Sequence, residues 1–233
     1  MIDQILYYRR TVLNYIENKK YLKSNDLHFY IGWCLLVVGV ALFVVGELFW
    51  LYILPYQWIF SILAMIAGAL IAFLPRMNRG TEEGLDEAVK KINEELCGTV
   101  SHTLEKKLKN KGEPPSVVGH YQLSGTDLLL RKGRRDEKYR SSRYTTALIS
   151  FTKDGLYILQ STFSLISDES SRQVFEIPYQ NSPRASIEEV RLTLPKGTYL
   201  QKELVIFDNG REIVRVPVEN SVFVDDLCKR IND

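Results

Sequence analysis

The sequence predicts a membrane α-helical hairpin followed by an α+β domain, in which antiparallel strands form a barrel or sandwich with a C-terminal helix. Two observations support the hairpin: the apolar stretches Phe29–Leu48 and Leu54–Leu74 lie close together, and no Lys or Arg separates them. A third observation supports the domain, because the hydrophobic pattern changes from helical to alternating after Pro115. We therefore expect a membrane part and a cytoplasmic part.

Residues 1–26 predict a cytoplasmic amphipathic helix. Its apolar residues share one side of a helical wheel, which Arg9 interrupts: Ile2, Ile5, Leu6, Val12, Leu13 and Ile16. Two placements are open. The helix could lie on the inner leaflet with its basic residues near anionic head groups, or it could pack on the helix that follows the second apolar stretch.

Residues 27–75 predict a transmembrane helical hairpin with spans at about 29–48 and 54–74. Each apolar stretch has about the 20 residues that a helix needs to cross a roughly 30 Å hydrocarbon core. Basic residues lie before the first span and after the second, and the connection Trp50–Tyr56 has none. The positive-inside rule then predicts a multi-pass protein of the cell membrane with both termini in the cytoplasm.

Small residues recur on both predicted spans and indicate close helix packing. They are spaced by seven on the first span and by four on the second: Gly32, Gly39 and Gly46, then Ala64, Gly68 and Ala72. Such residues let two helix backbones approach closely. The packing partner could be the other span of the same chain or a second copy.

Residues 81–111 predict a second cytoplasmic helix. Thr81 followed by two glutamates is a typical helix N-terminus, and Gly112–Pro115 ends the pattern. The apolar stripe of this helix is heptad-like: Leu85, Val89, Ile92 and Leu96. It could form a stalk with the N-terminal helix, or a short coiled coil that dimerises the protein.

Residues 116–233 predict a β-rich domain. Asp154-Gly155 and Asn209-Gly210 each lie between two strand-like runs, and these dipeptides favour tight hairpin turns. Further strand-like runs and a terminal amphipathic helix follow from the same patterns: Thr126–Arg131, Gln173–Pro178, Val190–Leu194 and the helix Val222–Ile231.

Three short segments carry a resemblance to bacterial pleckstrin-homology-like (PH-like) domains. They are Phe151–Tyr157, Ile177-Pro178-Tyr179 and Ile187–Val190, and they look like a turn-leucine-tyrosine strand, an I-P-Y strand and an isoleucine-led strand. The resemblance covers Ser116–Asp233 and implies an antiparallel β-barrel or sandwich with a C-terminal helix. The whole chain resembles small bacterial membrane proteins that combine a helical hairpin with such a domain.

A basic segment is the candidate binding site for lipid or for a partner. Its cations are Arg131, Lys132, Arg134, Arg135, Lys138, Arg140 and Arg143. In lipid-binding PH domains the corresponding loop grips phosphorylated head groups, so the resemblance implies a role in lipid binding. The alternative is a solvated charged loop. Nucleic acid is not expected as a partner, because few aromatic residues lie among the cations and the net charge is only +2.

The sequence offers no constellation for catalysis, a metal or a cofactor. The three histidines lack metal-site spacing, no phosphate-binding or nucleophile motif occurs, and no base accompanies Cys97. We therefore expect a non-enzymatic integral membrane protein, or scaffold. Its PH-like domain would contact a protein partner, a second copy or anionic lipid at the inner membrane face. The alternative is an accessory subunit of a membrane transport or secretion complex.

Overall fold

The structure is a computed structural model that describes residues 14–23, 27–49, 57–77, 81–104, 108, 114–133, 135–194, 197–219 and 222–233. Its helices are α1 (Tyr15–Lys23), α2 (Leu27–Phe49), α3 (Gln57–Met77), α4 (Glu82–Leu104) and α5 (Val222–Asn232). Its strands are β1 (Ser116–Tyr121), β2 (Leu130–Lys132), β3 (Tyr139–Ser141), β4 (Arg143–Phe151), β5 (Gly155–Ser164), β6 (Ser170–Pro178), β7 (Arg184–Leu194), β8 (Gly197–Asp208) and β9 (Arg211–Val218). The chain forms two compact units, Lys23–Gly80 and Met1–Leu22 with Thr81–Asp233.

The unit Lys23–Gly80 contains helices α2 and α3, which pack through small residues. A Cβ atom at Gly32 would lie 2.6 Å from the backbone nitrogen of Ala72 and 2.7 Å from the carbonyl oxygen of Gly68. A Cβ atom at Gly39 would lie 2.8 Å from Cγ of Met65. The two helix backbones therefore approach so closely that these positions exclude any side chain. Ala64 is half-buried, and the side chain position of Gly46 lies outside the described residues.

The predicted membrane hairpin is not supported. Across the residues that the structure describes, no helix is long and apolar enough to cross a membrane. This finding contradicts the two predicted spans and, with them, the multi-pass localisation in the cell membrane. The predicted outer loop at 50–56 lies outside the described residues.

The second unit contains two antiparallel sheets, and in the first of them β1 pairs with β4 rather than with the next strand along the chain. One sheet has the order β1-β4-β5-β6 and the other has the order β7-β8-β9, while β2 and β3 form a separate two-stranded ribbon. The predicted turns are confirmed: Asp154-Gly155 joins β4 to β5, and Asn209-Gly210 joins β8 to β9. Both residues of the second turn have positive φ, +50° and +77°, as a tight hairpin requires.

The four-stranded sheet packs against other elements on both faces, although its edge strand β6 is largely exposed. Its inner face packs on the three-stranded sheet and α5 in one core, which includes Ala147, Ile158, Leu204, Val216 and Leu227. Its outer face packs on α1 and α4 in a second core, which includes Tyr21, Leu85, Ile92, Leu148 and Phe163. Alternation along the strands produces this division, because successive side chains point to opposite faces of a sheet.

The apolar stripe of α4 is therefore covered by the protein's own sheet. Leu85, Ile92 and Leu96 are each only 1% exposed. Neither predicted role of the stripe, a stalk or a dimerising coiled coil, is correct. The structure describes this helix from Glu82 to Leu104, and the predicted continuation to residue 111 falls mostly outside the described residues. Leu108 forms an isolated antiparallel bridge with Thr152.

The predicted fold class is corrected by these observations. The strands form separate open sheets rather than one closed barrel, and a helical layer covers the outer face of the four-stranded sheet. The compact unit is α+β, with helices on the outer face of the four-stranded sheet and α5 against the inner core. It extends beyond 116–233, because Met1–Leu22 and the segment from Thr81 belong to it.

Candidate interaction groove

The basic segment is organised around the buried side chain of Arg140. This side chain is 3% exposed and lies in β3. Its Nε and Nη2 atoms donate to the two carboxylate oxygens of Asp86 on α4, at 3.0 and 2.6 Å. The same guanidinium donates to the carboxylate of Asp136 at 2.7 and 3.2 Å. Tyr121 on β1 donates its hydroxyl to Asp86 at 2.6 Å, so four segments of the chain meet at this arginine.

The other described cations of the predicted site also have partners within the chain. Lys132 pairs with Glu137 at 2.9 Å, and Arg143 lies 3.5 Å from Glu169. Arg135 pairs with Glu83, and Lys138 pairs with Glu219. Arg134 lies outside the described residues.

Arg131 connects the segment to α1. Its guanidinium carbon lies 4.4 Å from the centre of the Tyr21 ring, and it donates to the carbonyl oxygen of Tyr21. The basic segment thus ties its loop to α1, α4 and the residue after β9. The cations of the segment that the structure describes therefore do not form a row of free charges. Two of the acidic partners, Glu83 and Asp86, lie near the start of the helix that the sequence predicted, but the sequence did not indicate that this helix lies beside β3.

The pKa values of this network follow from its contacts. The hydrogen bonds from Arg140 lower the pKa of the Asp136 carboxyl to about 2. The hydrogen bond to Glu219 raises the pKa of Lys138. Burial, together with the neighbouring Asp86 carboxylate, raises the pKa of Tyr121 far above its ordinary value.

A groove of about 650 Å³ lies beside this network, between α4 and β1. Apolar surface is contributed by Val89 on α4, Val117 on β1 and the ring of Tyr144 on β4. Charged side chains also line it: Asp86, Lys90, Glu94, Lys138, Arg140 and Glu219. An apolar concave surface with a few polar groups is the usual form of a binding site.

Three polar side chains that line the groove, those of Asn93, Cys97 and His120, are half-buried. The side-chain oxygen of Asn93 is buried and has no hydrogen-bond partner among the described residues. Burial and the nearby Glu94 raise the pKa of the Cys97 thiol, so little thiolate forms at neutral pH. Burial lowers the pKa of His120. In the part of the chain that the structure describes, no cluster of His, Cys, Asp and Glu could hold a metal ion.

Comparison with known proteins identifies no relative. No protein family, curated protein or solved structure matches the chain. The resemblance to membrane proteins with a PH-like domain is therefore contradicted, both by these comparisons and by the lack of a membrane-spanning helix among the described residues. The residues that carried it have local roles: Asp154-Gly155 forms a turn, and Leu156 and Ile177 are buried. Any antiparallel hairpin with one buried face needs such residues.

Proposed function

We propose that this protein is a non-enzymatic interaction protein and that the α4–β1 groove binds an extended segment of a protein partner. The groove itself carries the proposal. Its apolar surface at Val89, Val117 and Tyr144 would cover an apolar side chain of the partner.

A protein partner is favoured over a lipid surface. Five described cations of the basic segment are paired with carboxylates, and one of them, Arg140, is buried. A sixth, Arg131, contacts the ring and the carbonyl oxygen of Tyr21. Attraction to anionic lipid needs accessible cations, each contributing about 1 kcal/mol near the surface. The groove also carries both signs of charge on its walls, which suits a polar peptide backbone flanked by mixed charges.

The test uses Cys97 as a reporter inside the groove. Cys34 and Cys228 are replaced by Ala, so that Cys97 is the only thiol in the full chain. Peptides are selected from a random display library against this protein in a mild non-ionic detergent, which covers exposed apolar helix faces. We expect selected peptides to slow the reaction of Cys97 with a maleimide at least about tenfold, because a bound segment would cover the thiol.

Two valine substitutions provide the matched comparison. Val117→Arg places a charge in the groove, whereas Val222→Arg changes a valine that is 77% exposed at the start of α5. We expect Val117→Arg to abolish peptide binding and Val222→Arg to preserve it, with circular dichroism confirming that both variants fold. The proposal fails if the peptides bind the Val117→Arg variant as tightly as the parent. It also fails if Cys97 reacts with the maleimide at the same rate with and without bound peptide.

A further inference from the structure

Strand β6 forms an open edge of the four-stranded sheet. Among the described strands it pairs only with β5. A backbone hydrogen bond lies at each end of this strand pair and keeps the same register. The Ser164 N–H donates to the backbone carbonyl oxygen of Glu169 at 2.9 Å, and the Tyr179 N–H donates to the backbone carbonyl oxygen of Asp154 at 3.1 Å. Hydrogen-bonded pairs alternate along an antiparallel ladder, so the odd-numbered residues of β6 bond to β5. The even-numbered residues direct their N–H and C=O groups away from β5.

The outward edge of β6 is exposed and has a regular pattern. The side chains from Ser170 to Val174 are exposed, and Val174 is 53% exposed. Arg172, Val174 and Glu176 share one face of the strand, because they are separated by two residues. Natural edge strands are usually guarded by Lys, Pro or a bulge. On β6 the one proline is Pro178, at the last position of the strand.

We propose that β6 pairs antiparallel with β6 of a second copy of this chain, about a two-fold axis through Val174. In this register Arg172 lies opposite Glu176 of the second copy, and Val174 lies opposite its own equivalent. The outward N–H and C=O groups of these residues then exchange hydrogen bonds, as the alternation of an antiparallel ladder requires. The two four-stranded sheets become one continuous sheet, and the exposed Val174 side chains cover each other.

The order of charges selects this register. A shift of the second copy by two residues places Arg172 opposite Val174, or Val174 opposite Glu176, so a charge faces an apolar group. A shift by one residue places the odd-numbered residues, whose N–H and C=O groups bond to β5, opposite the even-numbered residues of the second copy. The hydrogen bonds between the two β6 strands could then not form. Only the register centred on Val174 gives two opposite-charge pairs related by the two-fold axis. A single strand pair is a small interface, so we expect a weak dimer. This proposal is independent of the α4–β1 groove.

Charge exchange between the two positions tests the proposal. The full chain is studied in a mild non-ionic detergent, because the exposed apolar faces of α2 and α3 could associate without β6. We expect Arg172→Glu or Glu176→Arg alone to weaken dimerisation about tenfold or more in sedimentation velocity, since each converts two attractive cross-strand pairs into repulsive ones. The double variant should recover the parent's dimerisation. A mixture of the two single variants should form a heterodimer.

Cysteine cross-linking provides a second test that does not depend on charge. In a chain whose three natural cysteines are replaced by Ala, Val174→Cys should form a disulfide-linked dimer under mild oxidation. The Cα atoms of a hydrogen-bonded pair lie about 5.5 Å apart, within the range of a disulfide. Ser170→Cys is the matched control on the same strand, because its equivalent in the second copy would lie about 27 Å away.

Three results would overturn the proposal: equal association of the parent and the single charge variants, no heterodimer in the mixture, or equally efficient cross-linking at 170 and 174. Because Glu95 on α4 influences Arg172, circular dichroism must show that Arg172→Glu keeps its fold. The double variant and the Val174→Cys dimer remain informative if that single variant does not fold.

Discussion

Replacing Arg140 with Gln should cost more stability than replacing any other described cation of the basic segment. Arg140 is 3% exposed and holds Asp86 and Asp136, whose side chains are 47% and 31% exposed. Removing one member of a fully buried ion pair costs about 3–5 kcal/mol. Here the two remaining carboxylates can be partly hydrated, so we expect the free energy of unfolding to fall by about 2–4 kcal/mol.

The measurement is urea unfolding of the full chain followed by circular dichroism. The matched control is Arg135→Gln, because Arg135 also pairs with an acid of α4, Glu83, but its side chain is 82% exposed. We expect the control to change the free energy of unfolding by no more than about 0.5 kcal/mol.

A double-variant cycle tests the direct contact between Arg140 and Asp86. We expect Arg140→Gln combined with Asp86→Asn to cost less than the sum of the two single changes, because the two side chains hydrogen-bond to each other. The reasoning fails if Arg140→Gln is as mild as Arg135→Gln, or if the two changes are additive.

Two further predictions concern α4 and pH. Ile92→Ala should lower the free energy of unfolding by about 2–4 kcal/mol, because Ile92 packs on the sheet and is only 1% exposed. The control Lys90→Ala changes a side chain that is 76% exposed and should have little effect in the same urea assay. A neutral Ile92→Ala would show that the helix does not pack on the sheet. The pKa of Asp136 is about 2, below its ordinary 3.8, so its contribution to stability is complete above about pH 4 and is lost as pH falls toward 2. Unfolding measured across that range should show a smaller loss in Arg140→Gln, and an equal loss would contradict the Arg140–Asp136 contact.

Local features of this fold could be predicted from the sequence because they depend on neighbouring residues. Thr81 caps α4 by accepting a hydrogen bond from Gly84 N–H at 3.0 Å, and the helix begins at Glu82 as expected. The two glycine-containing turns and the terminal helix α5 also follow from short patterns. The groove could not be predicted, because its walls come from α4 and β1, whose contact is tertiary.

The apolar stripe of α4 shows where sequence reasoning stops. Its spacing determines that one face of the helix must be buried, but a sheet, a helix or a second copy would each satisfy that spacing. The structure supplies the sheet: Leu85, Ile92 and Leu96 pack on the outer face of the strands. The same limit applies to α2 and α3, where the spacing of small residues predicted close packing but could not name the partner.

The sequence by itself determined the turns, the helix cap and the apolar periodicities, because each depends on residues a few positions apart. Only the tertiary structure decided what the charged and apolar faces contact. Arg140 meets Asp86 across 54 positions of sequence, and Lys138 meets Glu219 across 81. A run of basic residues in a sequence does not show whether its side chains are paired with carboxylates or exposed to solvent. Its charge is local, but its neutralisation depends on which distant carboxylates the fold brings within hydrogen-bonding distance.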